Sequence, residues 1–219
     1  MGKKEVALEV TEIAVKTTLS VIPIGGALAT SIYDSIKGNC LAKRKEKWER
    51  ELEARLSHTE ETLETIGNNE LFTTTLIRAT ELAMKTAQEE KIQYLANAVV
   101  NSLSPDLDEE KMMVMLNLLD KYTVSHIKIL YYFYNPRRFD EMKHSSAMGS
   151  PKLLLFSMFP ELNNELFDKL YEDLFIDGMV NLENLNVMMT GRGITEKRTT
   201  PLADSFLNFV FGESLDKEP

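Results

Sequence analysis

The sequence predicts a mainly α protein in two parts: an N-terminal helical bundle over residues 1–122 and a smaller α+β module over 123–219. Three observations predict it. Apolar residues recur at three- and four-residue spacing through most of the chain, the repeat of one helix face. Pro, Gly and Asn punctuate that repeat at intervals of helix length. The composition shifts near Tyr122-Thr123 toward dense aliphatic and aromatic residues, and beyond Gly178 two short stretches read as strands.

The elements follow in order. Over 4–20, Val6, Val10, Ile13 and Thr17 repeat at helical spacing, with Glu5, Glu9 and Glu12 around the rest. Pro23 and Gly25-Gly26 end that helix. A long helix over 27–66 begins small and apolar (Ala27, Leu28, Ala29, Ile32, Ile36). It continues densely charged, with a thin stripe of Trp48, Leu52, Leu56 and Leu63. Such a stripe suits a helix packed on one side or paired with a second copy. Gly67-Asn68-Asn69 is a stop followed by an N-cap, and a helix runs over 70–86. Gln88-Glu89-Glu90 opens the next with acid in its first turn, where the dipole favours it. Ile92, Leu95, Ala96, Val99 and Leu103 form its inner face before Ser104-Pro105 ends it. A methionine- and leucine-rich helix spans 108–122.

In the second part, helix 124–134 is strongly apolar and stops at Asn135-Pro136, and 137–150 is a polar loop. A short apolar helix follows over 153–159, then an amphipathic one over 163–175 with Leu166, Leu170 and Leu174 on one side. Gly178 is its C-cap candidate. Two strands are expected over 179–182 and 194–200, with Gly191-Arg192-Gly193 near their connection. A last helix spans 201–211. Three helices, two strands and a helix are the order of a winged-helix module. The wording "LYEDLFIDGMVNL" followed by "TTPLADSFLNFV" resembles the end of many bacterial winged-helix domains over 123–212. That resemblance implies a wing, on which Arg192, Lys197 and Arg198 are the candidate contacts.

Charge limits the partners. The chain carries 25 Lys+Arg against 34 Asp+Glu, a net of −9. Proteins that grip nucleic acid concentrate cations to displace counterions from phosphate, so nucleic acid is disfavoured as a partner. The helix over 163–175 would present Glu165, Asp168, Glu172 and Asp173 against Lys169 to a DNA groove, and phosphates repel that face. Cys40 is the only cysteine, which excludes an intramolecular disulfide and a thiolate-rich zinc site. The three histidines are scattered and no glycine loop follows a strand, so neither a metal site nor a cofactor is expected. The N-terminus lacks the uninterrupted apolar core of a signal peptide. Its Met-Gly-Lys-Lys-Glu-Val has valine where a myristoylation signal needs Ser or Thr. The expected compartment is the cytoplasm.

The most unusual segment lies between Lys16 and Asp34, seventeen residues without a charge, TTLSVIPIGGALATSIY. As one helix it would reach about 26 Å at about 1.5 Å per residue, short of the ~30 Å hydrocarbon core. Pro23 and the two glycines interrupt it. It packs as a hairpin inside the bundle, or meets the inner membrane surface peripherally, with the neighbouring lysines on anionic head groups. Ile22, Ile24, Leu28 and Ile32 are the candidate contacts, placed with the help of Lys43, Arg44, Lys45 and Trp48.

One spacing suggests catalysis. Arg138 and His144, six positions apart, resemble the active-site signature of the HEPN ribonucleases, in which both residues work on a phosphodiester. There the motif lies in a helix, whereas Pro136 and Ser145-Ser146 place it here in a loop. His126 sits among apolar residues as a core histidine.

In the N-terminal half, "VIPIGGALATSIYDSI", a charged helix, and "NELFTTTLIRATELAMKTAQEEKIQYLANAVVNSL" resemble bacterial proteins of the abortive infection alpha family over 13–130. The resemblance implies a role in phage defence and carries no functional residues onto this chain. The sequence thus reads as a non-enzymatic bacterial protein acting by association, with a protein partner or a second copy of itself. Two alternatives stand beside it: a winged-helix DNA-binding regulator and a HEPN-like ribonuclease.

Overall fold

The computed structural model describes residues 40–57, 66, 68–104, 107–139, 149–212 and 215. The chain divides into two compact units, 1–121 with 209–219, and 122–208. Of the described residues near the C-terminus, 209–212 and 215 fall in the first unit.

In the first unit, α1 (Ala42–Leu56) buries the thin stripe Trp48, Leu52 and Leu56, one residue per turn. It packs on α2 (Glu70–Lys85) and α3 (Glu89–Asn101), and α4 (Glu109–Lys121) packs on α2. The Asn69 side chain accepts the Phe72 N–H at 2.9 Å, satisfying an orphan donor of the first turn of α2. Thr75 and Thr80 are buried there because each hydroxyl donates to the carbonyl four residues back, Leu71 and Leu76. The Nζ of Lys91, on an otherwise apolar face of α3, donates to the Asp120 carbonyl at 2.9 Å near the end of α4. Burial holds this amine below the ordinary lysine range, with Asp120 opposing. Residues 209–212 complete the unit: Asn97 donates to the Val210 carbonyl at 2.8 Å and Asn101 to that of Phe209 at 2.9 Å. Tyr94 meets Phe211 edge to face. The expected helix over 27–66 is described only in part, as α1; the helix over 4–20 lies outside the described residues.

The second unit is built around α5 (Val124–Tyr134), which buries every residue from Ile129 to Phe133. A 3-10 turn follows at Pro136–Arg138. Then come α6 (Pro151–Ser157), α7 (Asn164–Ile176), a single turn α8 (Gly191–Ile194) and the part of α9 (Pro201–Phe211) up to residue 208. Phe167, Leu170, Tyr171 and Leu174 turn inward from α7, with Phe133 against Tyr171.

The winged-helix expectation fails here. Among the described residues no β-strand forms, so the module is helical and not α+β. Where two strands were expected, a single antiparallel bridge joins Val180 to Thr199, and another joins Gly149 to Met189. The reasons are local. Thr190 accepts the Gly193 N–H and starts a helical turn through Ile194, which removes the front of the second stretch from any ladder. The run after Val180 is rich in Asn, and Asn184 folds back to accept the Asn186 N–H at 2.8 Å.

Candidate functional site

The second unit carries a groove along α7. Asn163 caps the helix by accepting the Leu166 N–H at 2.8 Å. Its inner face being apolar, the polar positions Glu165, Asp168, Lys169 and Glu172 are left exposed on the outside. Gly178, at φ 70°, ends the helix in a Schellman motif: its own N–H reaches the Phe175 carbonyl and that of Met179 the Leu174 carbonyl, both at 2.9 Å. The chain then returns beside α7 and is fixed there. The Tyr171 hydroxyl donates to the Leu182 carbonyl. The Leu185 carbonyl accepts from the Ser150 hydroxyl at 2.8 Å and the Lys152 N–H at 3.1 Å.

Between helix and returning loop lies a cavity of about 790 Å³, lined on one side by α7 residues and on the other by Glu183, Asn184, Leu185 and Asn186. Tyr171, Phe175, Ile176 and Leu185 supply its apolar part, and Ile176 is 67% exposed. Its charged lining is Glu165, Asp168, Glu172 and Glu183 against Lys169. Lys169 lies 3.0 Å from Asp173 and 3.4 Å from Glu172, and these carboxylates, Asp173 foremost, hold its amine above the ordinary lysine value. Asp168 pairs with Lys152 at 2.6 Å. Burial keeps the Tyr171 phenol protonated well above its usual range, with Arg198 partly opposing. The result is an open trough whose lining is apolar in part and mostly anionic in its charges.

The residues singled out from sequence are distributed elsewhere. Ile22, Ile24, Leu28 and Ile32 lie outside the described residues, as does His144. Lys43 is exposed at the start of α1. The Arg44 guanidinium donates to the Met84 carbonyl at 2.9 Å, closing the last turn of α2, and Lys45 lies 3.7 Å from Glu49. Trp48 is fully buried and its indole N–H faces the Thr80 hydroxyl at 3.2 Å, so it serves the core of the bundle rather than a contact surface. Arg192 is exposed. Lys197 pairs with Asp204 at 2.8 Å and sits 4.3 Å over the Tyr134 ring. Arg198 pairs with Glu196 at 2.7 Å and reaches the Gly193 carbonyl. Of the three, two are therefore tied into the unit that carries them. The Arg138 guanidinium donates to the Tyr131 hydroxyl at 2.6 Å.

The acidic face of α7 is legible in the sequence, since Glu165, Asp168 and Glu172 recur at helical spacing. The second wall is not, because the loop carrying Glu183 and Leu185 is held in place by long-range hydrogen bonds, Leu182 to Tyr171 on α7 and Leu185 to Ser150 and Lys152 at the start of α6. Among the described residues no group of three or more His, Cys, Asp or Glu gathers in a metal-holding arrangement, and no helix is long and apolar enough to cross a membrane. No protein family, curated protein or solved structure matches this chain.

Proposed function

We propose that this chain is a non-enzymatic bacterial protein of phage defence that acts by association. The observation that carries the reading is the groove of the second unit. Phe175 and Ile176, partly open to water beside exposed carboxylates, have the mixed apolar and charged composition of a protein-contact patch. The defence setting rests on the resemblance of residues 13–130 to the abortive infection alpha proteins. In this reading the second unit binds a partner protein, and the uncharged segment over 17–33 mediates self-association and peripheral contact with the inner membrane.

A phage challenge of bacteria expressing the protein tests it. Glu172→Lys with Glu183→Lys should abolish protection while leaving the folded protein at wild-type level, and Arg138→Ala, at matched level, should leave protection intact. The opposite pattern would sink the association reading and favour a ribonuclease. For the membrane part, the protein should sediment with anionic vesicles and Ile24→Asp should release it. Full recovery of the unaltered protein in the supernatant removes that part.

A further inference from the structure

The groove's chemistry narrows its occupant. Resting on the association reading above, we infer that it takes a cationic amphipathic segment of a partner protein, about three helical turns long. Length comes from α7: its lining positions run from Glu165 to Ile176, about 18 Å at about 1.5 Å per residue. Charge comes from Glu165, Glu172 and Glu183, which stand on both walls and outnumber the one lining cation, Lys169, so lysines or arginines along either edge of a bound segment meet a carboxylate. Selectivity for apolar residues comes from Phe175 and Ile176 on the α7 wall, with the buried Leu185 on the other. A nucleic acid would meet like charge at the same rim, and an acidic segment would too.

The two kinds of contact do different work. The rim charges are exposed, so each contributes modestly and its effect fades with salt. The apolar lining supplies the part that salt does not screen, because covering it removes apolar surface from water. An occupant with only charge or only apolar residues would therefore bind weakly. The loop carrying Glu183 and Leu185 is held by hydrogen bonds from Tyr171, Ser150 and Lys152, so the trough stands open before anything enters.

Fluorescence anisotropy on the full chain tests this with a labelled peptide of about twelve residues, Leu on one helical face and Lys on the other. Saturable binding is expected, weakening as salt rises. Replacing the peptide's Leu by Ser, or its Lys by Glu, should each weaken binding about tenfold or more. Glu172→Lys/Glu183→Lys should weaken it about tenfold, whereas Glu46→Lys/Glu110→Lys, the same charge change on the first unit, should not. Equal binding of the Leu-free peptide, equal loss with either protein variant, or no saturation near ~1 mM peptide overturns the inference. So does self-association of the chain that is lost in Glu172→Lys/Glu183→Lys, which would assign the groove to a second copy. If protection from phage depends on Glu172 and Glu183 but the peptide does not bind, the occupant is wrong and the site stands. If the peptide binds and protection is indifferent to those residues, the functional reading is what fails.

Discussion

The backbone N–H of Thr123 donates to Nδ1 of His126 at 3.1 Å, while the N–H of His126 turns back to the Thr123 hydroxyl at 3.5 Å. An imidazole thus occupies the place that Glu or Gln usually takes in a capping box at the start of a helix. With Nδ1 accepting, the neutral ring carries its proton on Nε2, which lies 3.8 Å from Asp173 on α7. The ring also stacks on Tyr122, whose hydroxyl donates to Asp177 at 2.8 Å. His126, expected from the sequence as a core histidine, is a fastener at the start of α5: Nδ1 closes the cap and the ring packs on Tyr122.

Replacing that fastener should separate its roles. His126→Ala is expected to lose the cap, about 1 kcal/mol, and the packing of a buried ring besides. His126→Gln restores the capping acceptor and should recover about 1 kcal/mol of the loss in urea denaturation. Equal destabilisation by both variants would show that the cap contributes nothing.

Trp48 is the only tryptophan in the chain and is fully buried. Its fluorescence therefore reports on the first unit alone, and should be blue-shifted and poorly quenched by iodide in the native protein. Trp48→Ala removes its packing and the partner of the Thr80 hydroxyl, at a cost of about 3–5 kcal/mol in stability. A loss below about 1 kcal/mol would contradict its place in the core.

Alkali should unfold the protein through its tyrosines. Burial raises the phenols of Tyr94, Tyr122, Tyr132 and Tyr171 above the ordinary value of 10, with Asp177 adding to the effect at Tyr122. A folded-state pKa above the unfolded one contributes stability that is complete below pH 10 and is lost as pH rises further. The denaturation midpoint should therefore hold up to about pH 10 and fall steadily above it, and part of the tyrosinate absorbance should appear only with unfolding. A single titration of all tyrosines in the intact fold would refute this. The Tyr132 hydroxyl is buried with no hydrogen-bond partner among the described residues, so Tyr132→Phe should be neutral or stabilising, by up to about 1 kcal/mol.

Two glycines with positive φ should respond differently to a methyl group. At Gly178, φ 70°, nothing lies within 4 Å of an added Cβ, so Gly178→Ala carries only backbone strain, about 1 kcal/mol. At Gly212, φ 55°, the Cβ would fall 2.6 Å from the Asn101 amide oxygen and dislodge the side chain that holds the Phe209 carbonyl. Gly212→Ala should cost roughly twice as much, about 2 kcal/mol, by thermal or chemical denaturation. Equal effects would mean that Asn101 moves aside freely.

Helices were readable wherever one stripe had to be buried: Trp48, Leu52 and Leu56 on α1 and Leu170 and Leu174 on α7 declare a face at a helix period, whereas Leu166, expected beside them, is 45% exposed and Phe167 takes the inner position. Caps were readable too, as Asn69 and Gly178 show, because they act on backbone within a few residues. The supposed strands misled because 179–182 and 194–200 share the right residue types but meet at one pair only. Strand pairing depends on what lies opposite, which a run of residues does not contain. The groove was half legible for the same reason: its carboxylates share a helix period, and its other wall is brought in by long-range hydrogen bonds. Trp48 drew attention beside the basic cluster, yet Arg44 and Trp48 alike turn into the bundle, the one to a carbonyl and the other to a hydroxyl.

The grip of Asn97 and Asn101 on carbonyls 113 and 108 residues further along has a consequence for biosynthesis. The opening helices leave the ribosome long before Phe209 and Val210 exist, so the unit that begins first is the last to be closed. Until then Tyr94 waits without its ring partner, and a chaperone that recognises exposed aromatic surface has its widest window on this half of the nascent chain.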